Sequence, residues 1–271
     1  MSVILAIDTA WTCTEPSGVA LLASQDHGWE CLCIAPSYDA FLACATGSPI
    51  DWVNGRFHGS KPDVPRLLRA AATIAREDVD LVAVDMPVAT VPFSARRAAD
   101  NAISAAFGGR GCSAHSPSAS RPGALGADLT KSFCDAGYPL VAGGDNVRVP
   151  RGMIEVYPHP ALLSLLRASY RIPYKVQKST RYWPALGVRE RVACLLNEFT
   201  AIHQALSVEI GGISVPLPHL DGISALATLK RYEDALDALV CGWVAVQFTA
   251  GNAAAYGDAT AAVWVPKPKL T

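Results

Sequence analysis

Apolar residues in the first third of the chain come in short runs rather than in helical stripes. "SVILAID" (2–8), "SGVALLAS" (17–24) and "WECLCIA" (29–35) are rich in Val, Ile, Leu and Cys and are parted by polar, turn-forming breaks, which predicts an antiparallel meander of three strands. Residues 37–62 mix Gly, Ser, Pro and aromatics without a period and read as an irregular insertion. "DVPRLLRAAATIARE" (63–77) then has helical spacing with a proline in its first turn, and "VDLVAVDMP" (79–87) is a buried strand closing on an acid and a proline. A helix before the fourth strand suits a crossover, so that strand is expected beside the first and parallel to it.

Two helices are expected at "SARRAADNAISAAF" (94–107) and "GALGADLTKSFCDAG" (123–137), joined by a mobile loop, "GGRGCSAHSPSASRP" (108–122). "GMIEVYPHP" (152–160) reads as another core strand, followed by helices at "ALLSLLRASY" (161–170) and "RERVACLLNEFTAIHQALS" (189–207). A long helix from about 221 to 250 and a last strand in "ATAAVWVPK" (259–267) complete the pattern. Strand, helix, strand order places the chain in the α/β class.

Composition narrows the classes. With 271 residues, 51% apolar and 17% charged, the chain can bury a large core as one domain. No apolar run approaches the roughly 20 residues of a membrane span, so no membrane partner is expected. The start lacks a basic region ahead of a long apolar one, so a cytoplasmic location is expected. A formal charge of −1 denies the whole molecule the field of a nucleic-acid coat, although Arg96-Arg97, or Arg181 with Arg189 and Arg191, could form local patches. The eight cysteines are scattered, and the one close pair, Cys31 and Cys33, reads as thiols on opposite faces of a strand; reduced buried cysteines are expected and zinc is not.

The acids carry the candidate chemistry. Asp8 closes the first strand, Asp85 the strand after the first helix, and Glu155 lies in or at the end of the next. If these strands are parallel neighbours, their carboxylates approach the rim where open α/β sheets place their sites. The late helix opens with Glu233, Asp234 and Asp237, and the i,i+3 spacing of the two aspartates puts them on one face. Two unscreened charges 4 Å apart repel by roughly 4 kcal/mol at an effective dielectric of about 20, so a divalent cation is the economical resolution. Oxygen ligands favour Mg²⁺ or Mn²⁺, and a pair of such ions could hydrolyse a phosphodiester. Each acid also has a plain reading: Asp8 in a turn, Asp85 capping a loop, Asp234 and Asp237 as helix-end charges.

The succession "VILAIDTAWTCTEPSGVAL", "LVAVDMP", "SARRAAD", "MIEVYPHP", "PYK", "YEDALDALVCGWVA" and "VWVPK" resembles the domain of unknown function 429 family across most of the chain. That family is placed in the ribonuclease H-like superfamily and described as predicted nucleases. The D-x-x-D-A-L of the late helix is also similar to the acidic helix of Holliday-junction resolvases. The resemblance implies one ribonuclease H-like domain over 1–271, with the insertion near 37–62 and helical insertions after the fourth and fifth strands. Its sheet would be mixed and five-stranded, of order 3-2-1-4-5, with Asp8 and Asp85 side by side. Asp8, Asp85, Asp234 and Asp237 are the expected catalytic and metal-binding residues; Glu155 is expected at the metal site as a neighbour rather than an essential ligand. The resolvases carry Glu where this chain has the shorter Asp85.

Arg96 and Arg97 follow Asp85 closely and could meet a phosphate, although Asp100 could equally pair with them. Lys175 lies in "IPYKVQKSTRYW" (172–183), whose cations and aromatics suit a single strand of nucleic acid or an ordinary surface loop. Of the loop histidines His115, His159 and His219, only His159, four residues after Glu155, is singled out. The expected function is a Mg²⁺- or Mn²⁺-dependent nuclease with a nucleic-acid partner. A phosphotransferase or ATPase of the actin-like and sugar-kinase type is the second reading, weakened by the absence of a repeated "AIDTA" unit despite the glycines of "VAGGDN" (141–146) and "EIGGIS" (209–214). A non-catalytic binding module is the third.

Overall fold

A computed structural model describes residues 1–143, 151–223 and 225–268. The strands are β1 (Val3–Asp8), β2 (Gly18–Gln25), β3 (Gly28–Ala35), β4 (Leu81–Val84), β5 (Gly152–Val156), β6 (Ile210–Gly211), β7 (Ala253–Gly257) and β8 (Ala262–Pro266). The helices are α1 (Tyr38–Cys44), α2 (Val64–Ala75), α3 (Ala98–Phe107), α4 (Leu125–Asp135), α5 (Pro158–Leu165), α6 (Ser179–Tyr182), α7 (Val188–Glu209) and α8 (Lys230–Thr249). The strands form one mixed sheet in the order β6-β3-β2-β1-β4-β5-β8-β7. The expected meander is present: β1 pairs antiparallel with β2, and β2 with β3. The chain then crosses over through α2, and β4 runs parallel to β1 with Val84 opposite Ile7.

The sheet is larger than the five strands the resemblance implies. β6 adds two residues of "EIGGIS" beside β3, and β7 pairs antiparallel with β8 at the other edge. Neither was legible, because "AAAYG" lacks β-branched residues and β6 is too short for a period. Residues 37–62 are likewise not irregular throughout. Ser37 accepts the Ala40 N–H at 3.1 Å and starts α1, which buries Tyr38 and Phe41; seven residues are too few to display the helical repeat. The long helix begins at Lys230, after 3-10 turns at Leu220–Gly222 and Leu226–Leu229, rather than near 221. "VAGGDN" lies partly outside the described residues, which resume at Arg151.

Strand alternation sorts the core into two layers. Ile4 and Ala6 of β1, Ala20 and Leu22 of β2, and Leu81 and Ala83 of β4 face α8, α7 and α5. Val3, Leu5, Ile7, Val19, Leu21, Val82 and Val84 face α1, α2 and α4. α8 is the central element, buried from Tyr232 to Val246. Small residues let it approach: a Cβ on Gly242 would stand 2.7 Å from Leu22 Cδ1 and 3.5 Å from the Ala6 Cβ, and a Cβ on Gly18 would stand 2.1 Å from the Asp234 carbonyl oxygen. Ordinary side chains there would hold helix and sheet apart. Burial of each large apolar side chain in this layer contributes about 1.5–3 kcal/mol.

The cysteine pair shows a different cause from the one expected. Regular alternation would put residues 31 and 33 on the same face, yet Cys31 packs in the α8 layer and Cys33 against the opposite one. A bulge opposite Leu21 and Leu22 inserts Leu32 and shifts the phase.

Candidate active site

The same alternation that builds the core aims the acids. Asp8 follows Ile4 and Ala6 in phase, and Asp85 follows Leu81 and Ala83, so both carboxylates leave their strands on the α8 side. The Asp85 N–H donates to the Ile7 carbonyl at 2.9 Å, which holds the two strand ends together. Gly18, opposite Asp8 in the ladder, is the residue against which α8 presses at Asp234. Two strand ends and one helix turn therefore converge on a cleft of ≈ 620 Å³ lined by Asp8, Asp85, Glu233 and Asp234.

Glu155 is brought to the same rim but to the other face. Its neighbours Ile154 and Val156 belong to the α8 layer, so Glu155 points away from it. There both carboxylate oxygens are taken by Arg97, Nη2 to Oε1 at 2.7 Å and Nη1 to Oε2 at 2.6 Å, and Oε2 also accepts the Val88 N–H at 3.1 Å. Arg97 is completed by Asp100 at 2.7 Å. Arg97 and Glu155 thus belong to a buried pair rather than to a phosphate or metal contact. Arg96 also turns elsewhere: it donates to the Ala114 carbonyl at 3.2 Å, to Ser116 Oγ at 2.9 Å and to Ser104 Oγ at 2.5 Å. It staples the 108–122 loop to α3, and that loop, expected to be mobile, carries His115, Ser118 and Arg121 over the cleft.

The carboxylates at the head of α8 are not helix caps. Glu233, Asp234 and Asp237 are 2%, 1% and 0% exposed, and the two aspartates lie beyond the first turn, where the helix dipole has faded. Asp237 lies beneath the cleft and accepts Tyr174 Oη at 2.6 Å and the Lys175 ammonium. Glu233 accepts the Val176 N–H at 2.6 Å and stands 3.4 Å from Lys175 Nζ and 3.3 Å from Lys230 Nζ. Lys230 also bonds Asp234 Oδ1, while Asp234 Oδ2 has no partner among the described residues. The i,i+3 and i,i+4 relation of Lys230 to Glu233 and Asp234 is the one signal in the sequence for this pairing.

Five carboxyls therefore share two ammonium groups, and their proton affinities show the imbalance. Burial pushes Asp85 well above the usual carboxylate range, and Asp8 beside it adds to the effect. Burial raises Asp234 well above that range too, only partly opposed by Lys230. Asp8 is raised by burial against Lys175 and Lys230, and Asp237 is pushed up to about 6 by burial against Lys175. Glu233 alone ends lowered: burial works against it, but Lys175 and Lys230 outweigh it. Lys175 and Lys230 are both raised, their acids overcoming the burial that would lower them.

Asp8 stands within hydrogen-bonding reach of Asp234. A proton shared by the two carboxyls, or a metal ion in its place, would satisfy the bare Asp234 oxygen. No group of three or more His, Cys, Asp or Glu side chains among the described residues is disposed to hold a metal unaided. A Mg²⁺ ion is commonly held by only one or two carboxylates, with substrate phosphates and water completing its shell. Asp8 and Asp85, with Asp234 beside them, are the residues that fit; Glu155 is not.

Fold and cleft define a mixed α/β protein whose candidate site lies at the carboxyl ends of two adjacent parallel strands, capped by an acidic helix. The chain belongs to the family described as Protein of unknown function (DUF429), whose model matches residues 16–261. No curated protein and no solved structure matches it. Among the described residues no helix is long and apolar enough to cross a membrane.

Proposed function

We propose that this chain is a ribonuclease H-like nuclease that hydrolyses phosphodiester bonds with Mg²⁺ or Mn²⁺. The observation that carries the reading is the placement of Asp8 and Asp85 side by side on the cleft face of parallel strands, with the unpartnered Asp234 oxygen beside them. The contiguous run β3-β2-β1-β4-β5 supports it. When bound, the divalent ion supplies charge neutralisation and Lewis-acid polarisation of a phosphoryl oxygen. Asp8 and Asp85 would hold that ion. Glu233 and Asp237 fix Lys175 at the cleft wall, where its ammonium neutralises charge that develops on the phosphoryl group. The phosphotransferase reading loses ground, because the described residues form one sheet rather than two duplicated lobes.

The test is a cleavage screen of single strands, duplexes, hybrids and junctions of DNA and RNA, with Mg²⁺, with Mn²⁺ and with chelator. Metal-dependent cleavage that falls at least about 100-fold in Asp8→Asn and Asp85→Asn is the expected outcome. Failure to cut any of these substrates with either metal, together with no Mn²⁺ binding by calorimetry, would sink the proposal.

A further inference from the structure

The acids occupy only part of the cleft wall. Arg121, Arg171 and Lys178 also line it, together with His115 and His159. The two lysines on the acidic side of the cleft have carboxylate partners, Lys175 with Glu233 and Asp237 and Lys230 with Asp234, as does buried Arg97 with Asp100 and Glu155. Arg121, Arg171 and Lys178 form no ion pair among the described residues. Cations gathered in a concave site without acidic partners focus a positive field that attracts an anion from outside.

Two of the groups are fixed in place before any ligand arrives. Arg171 donates Nη1–H to the Gly111 carbonyl at 3.3 Å and meets His159 Nε2 through Nη2, while its Nε has no partner among the described residues. His159 is 5% exposed, and burial, followed by Lys175 and Arg171, drives its pKa well below the ordinary histidine value. It is therefore a neutral ring that accepts from Arg171 at Nε2 and carries its proton on Nδ1, and that buried donor is also unpartnered. Lys178 feels the same crowding: burial, then Arg171, Lys175 and Arg181, bring it down to about 8.

We propose that Arg121, Arg171 and Lys178 form a phosphate subsite for the group that adjoins the phosphodiester held over Asp8 and Asp85. The ligand is then a single strand of nucleic acid, or its end, with at least two successive phosphates in the cleft. The inference rests on the nuclease reading for the identity of the first phosphate, whereas the subsite itself rests on the cations alone. A cleft of ≈ 620 Å³ has room for one or two nucleotides of such a strand. Trp11 and Tyr157 on its wall offer faces for a base.

The subsite can be tested in chelator, without turnover, by fluorescence anisotropy of a short labelled oligothymidylate competed by pyrophosphate and by inorganic phosphate. Lys178→Met and Arg121→Met are the variants of choice, because neither side chain has a hydrogen bond that would be lost among the described residues, and circular dichroism confirms their folding. Each should weaken oligonucleotide binding about tenfold and lower the salt slope by about 0.7, the value for one phosphate contact on a single strand. Pyrophosphate should compete better than phosphate, and less well against either variant. Wild-type binding of neither probe, or binding indifferent to both substitutions, overturns the subsite. Lys178-dependent binding of pyrophosphate without any binding of the oligonucleotide upholds the subsite and overturns the nuclease reading. Loss of Mn²⁺ affinity in Asp85→Asn with phosphate binding intact shows that the two parts of the cleft fail or stand separately.

Discussion

Asp85 has no hydrogen-bond acceptor role or cation of its own among the described contacts, and it faces Asp8 across one ladder step. Like Asp8, Asp234 and Asp237, it keeps its proton in the folded protein at a pH where the unfolded chain has lost it. The folded state then binds more protons, so these groups lower stability as the pH rises above 3.8, for Asp237 through about 6. Glu233 acts in the opposite sense, since its ion pairs are lost as the pH falls. In chelator at pH 7.5, Asp85→Asn should therefore raise the melting temperature by about 2–5 °C, while in a separate assay with Mn²⁺ the same variant loses cleavage. Near pH 3.5, where the wild-type carboxyl is already protonated, the gain should disappear. A variant that melts lower at both pH values would make Asp85 a structural acceptor.

Arg97 answers the question that Arg96-Arg97 raised in the sequence. It lies in a buried triad with Asp100 and Glu155, and removing one partner of such a group leaves unpaired buried charge at a cost of about 3–5 kcal/mol. Arg97→Ala should lose that much in urea denaturation. Were the guanidinium a phosphate ligand instead, stability would hold and only KM would rise.

At the scale of elements, α8 decides the site because it can come close to the sheet. Gly18→Ala places a methyl group at the Asp234 carbonyl and forces the acidic turn outward. The expected result is a loss of about 1–3 kcal/mol, as for overpacking, accompanied by weaker Mn²⁺ affinity. A Gly18→Ala protein with native affinity would show that Asp234 does not depend on this contact. The 108–122 loop is the second such element. Arg96→Ala removes its staple to α3, so amide exchange across 111–121 should accelerate and KM should rise with kcat little changed. Unaltered exchange would place the anchoring of that loop elsewhere.

Over the whole molecule, the period of the sequence determined much that was then found. Apolar runs ending in Asp8 and Asp85, with a crossover helix between them, were enough to place those two acids side by side. The density of acids at the head of an apolar helix was enough to mark α8, since no capping need explains Asp237 two turns inside it. Even the turning away of Glu155 was contained in the alternation of β5, although it could be read only once the phase of that strand against α8 was known.

Apart from Lys230, whose pairing with Glu233 and Asp234 is local to α8, tertiary structure decided which acids received a cation. Lys175 reaches Asp237 from 62 residues away, and Arg97 reaches Glu155 across 58. The segments at 108–122 and 166–178 brought Arg121, Arg171 and Lys178 to the lining of one cleft, a meeting that no local pattern in either segment announces. The physical reason is one of range. A hydrophobic period is set by the local geometry of helix or strand and so is written in consecutive residues, whereas charge compensation is a through-space requirement, met by whichever segment the packing of α8 on the sheet leaves within reach.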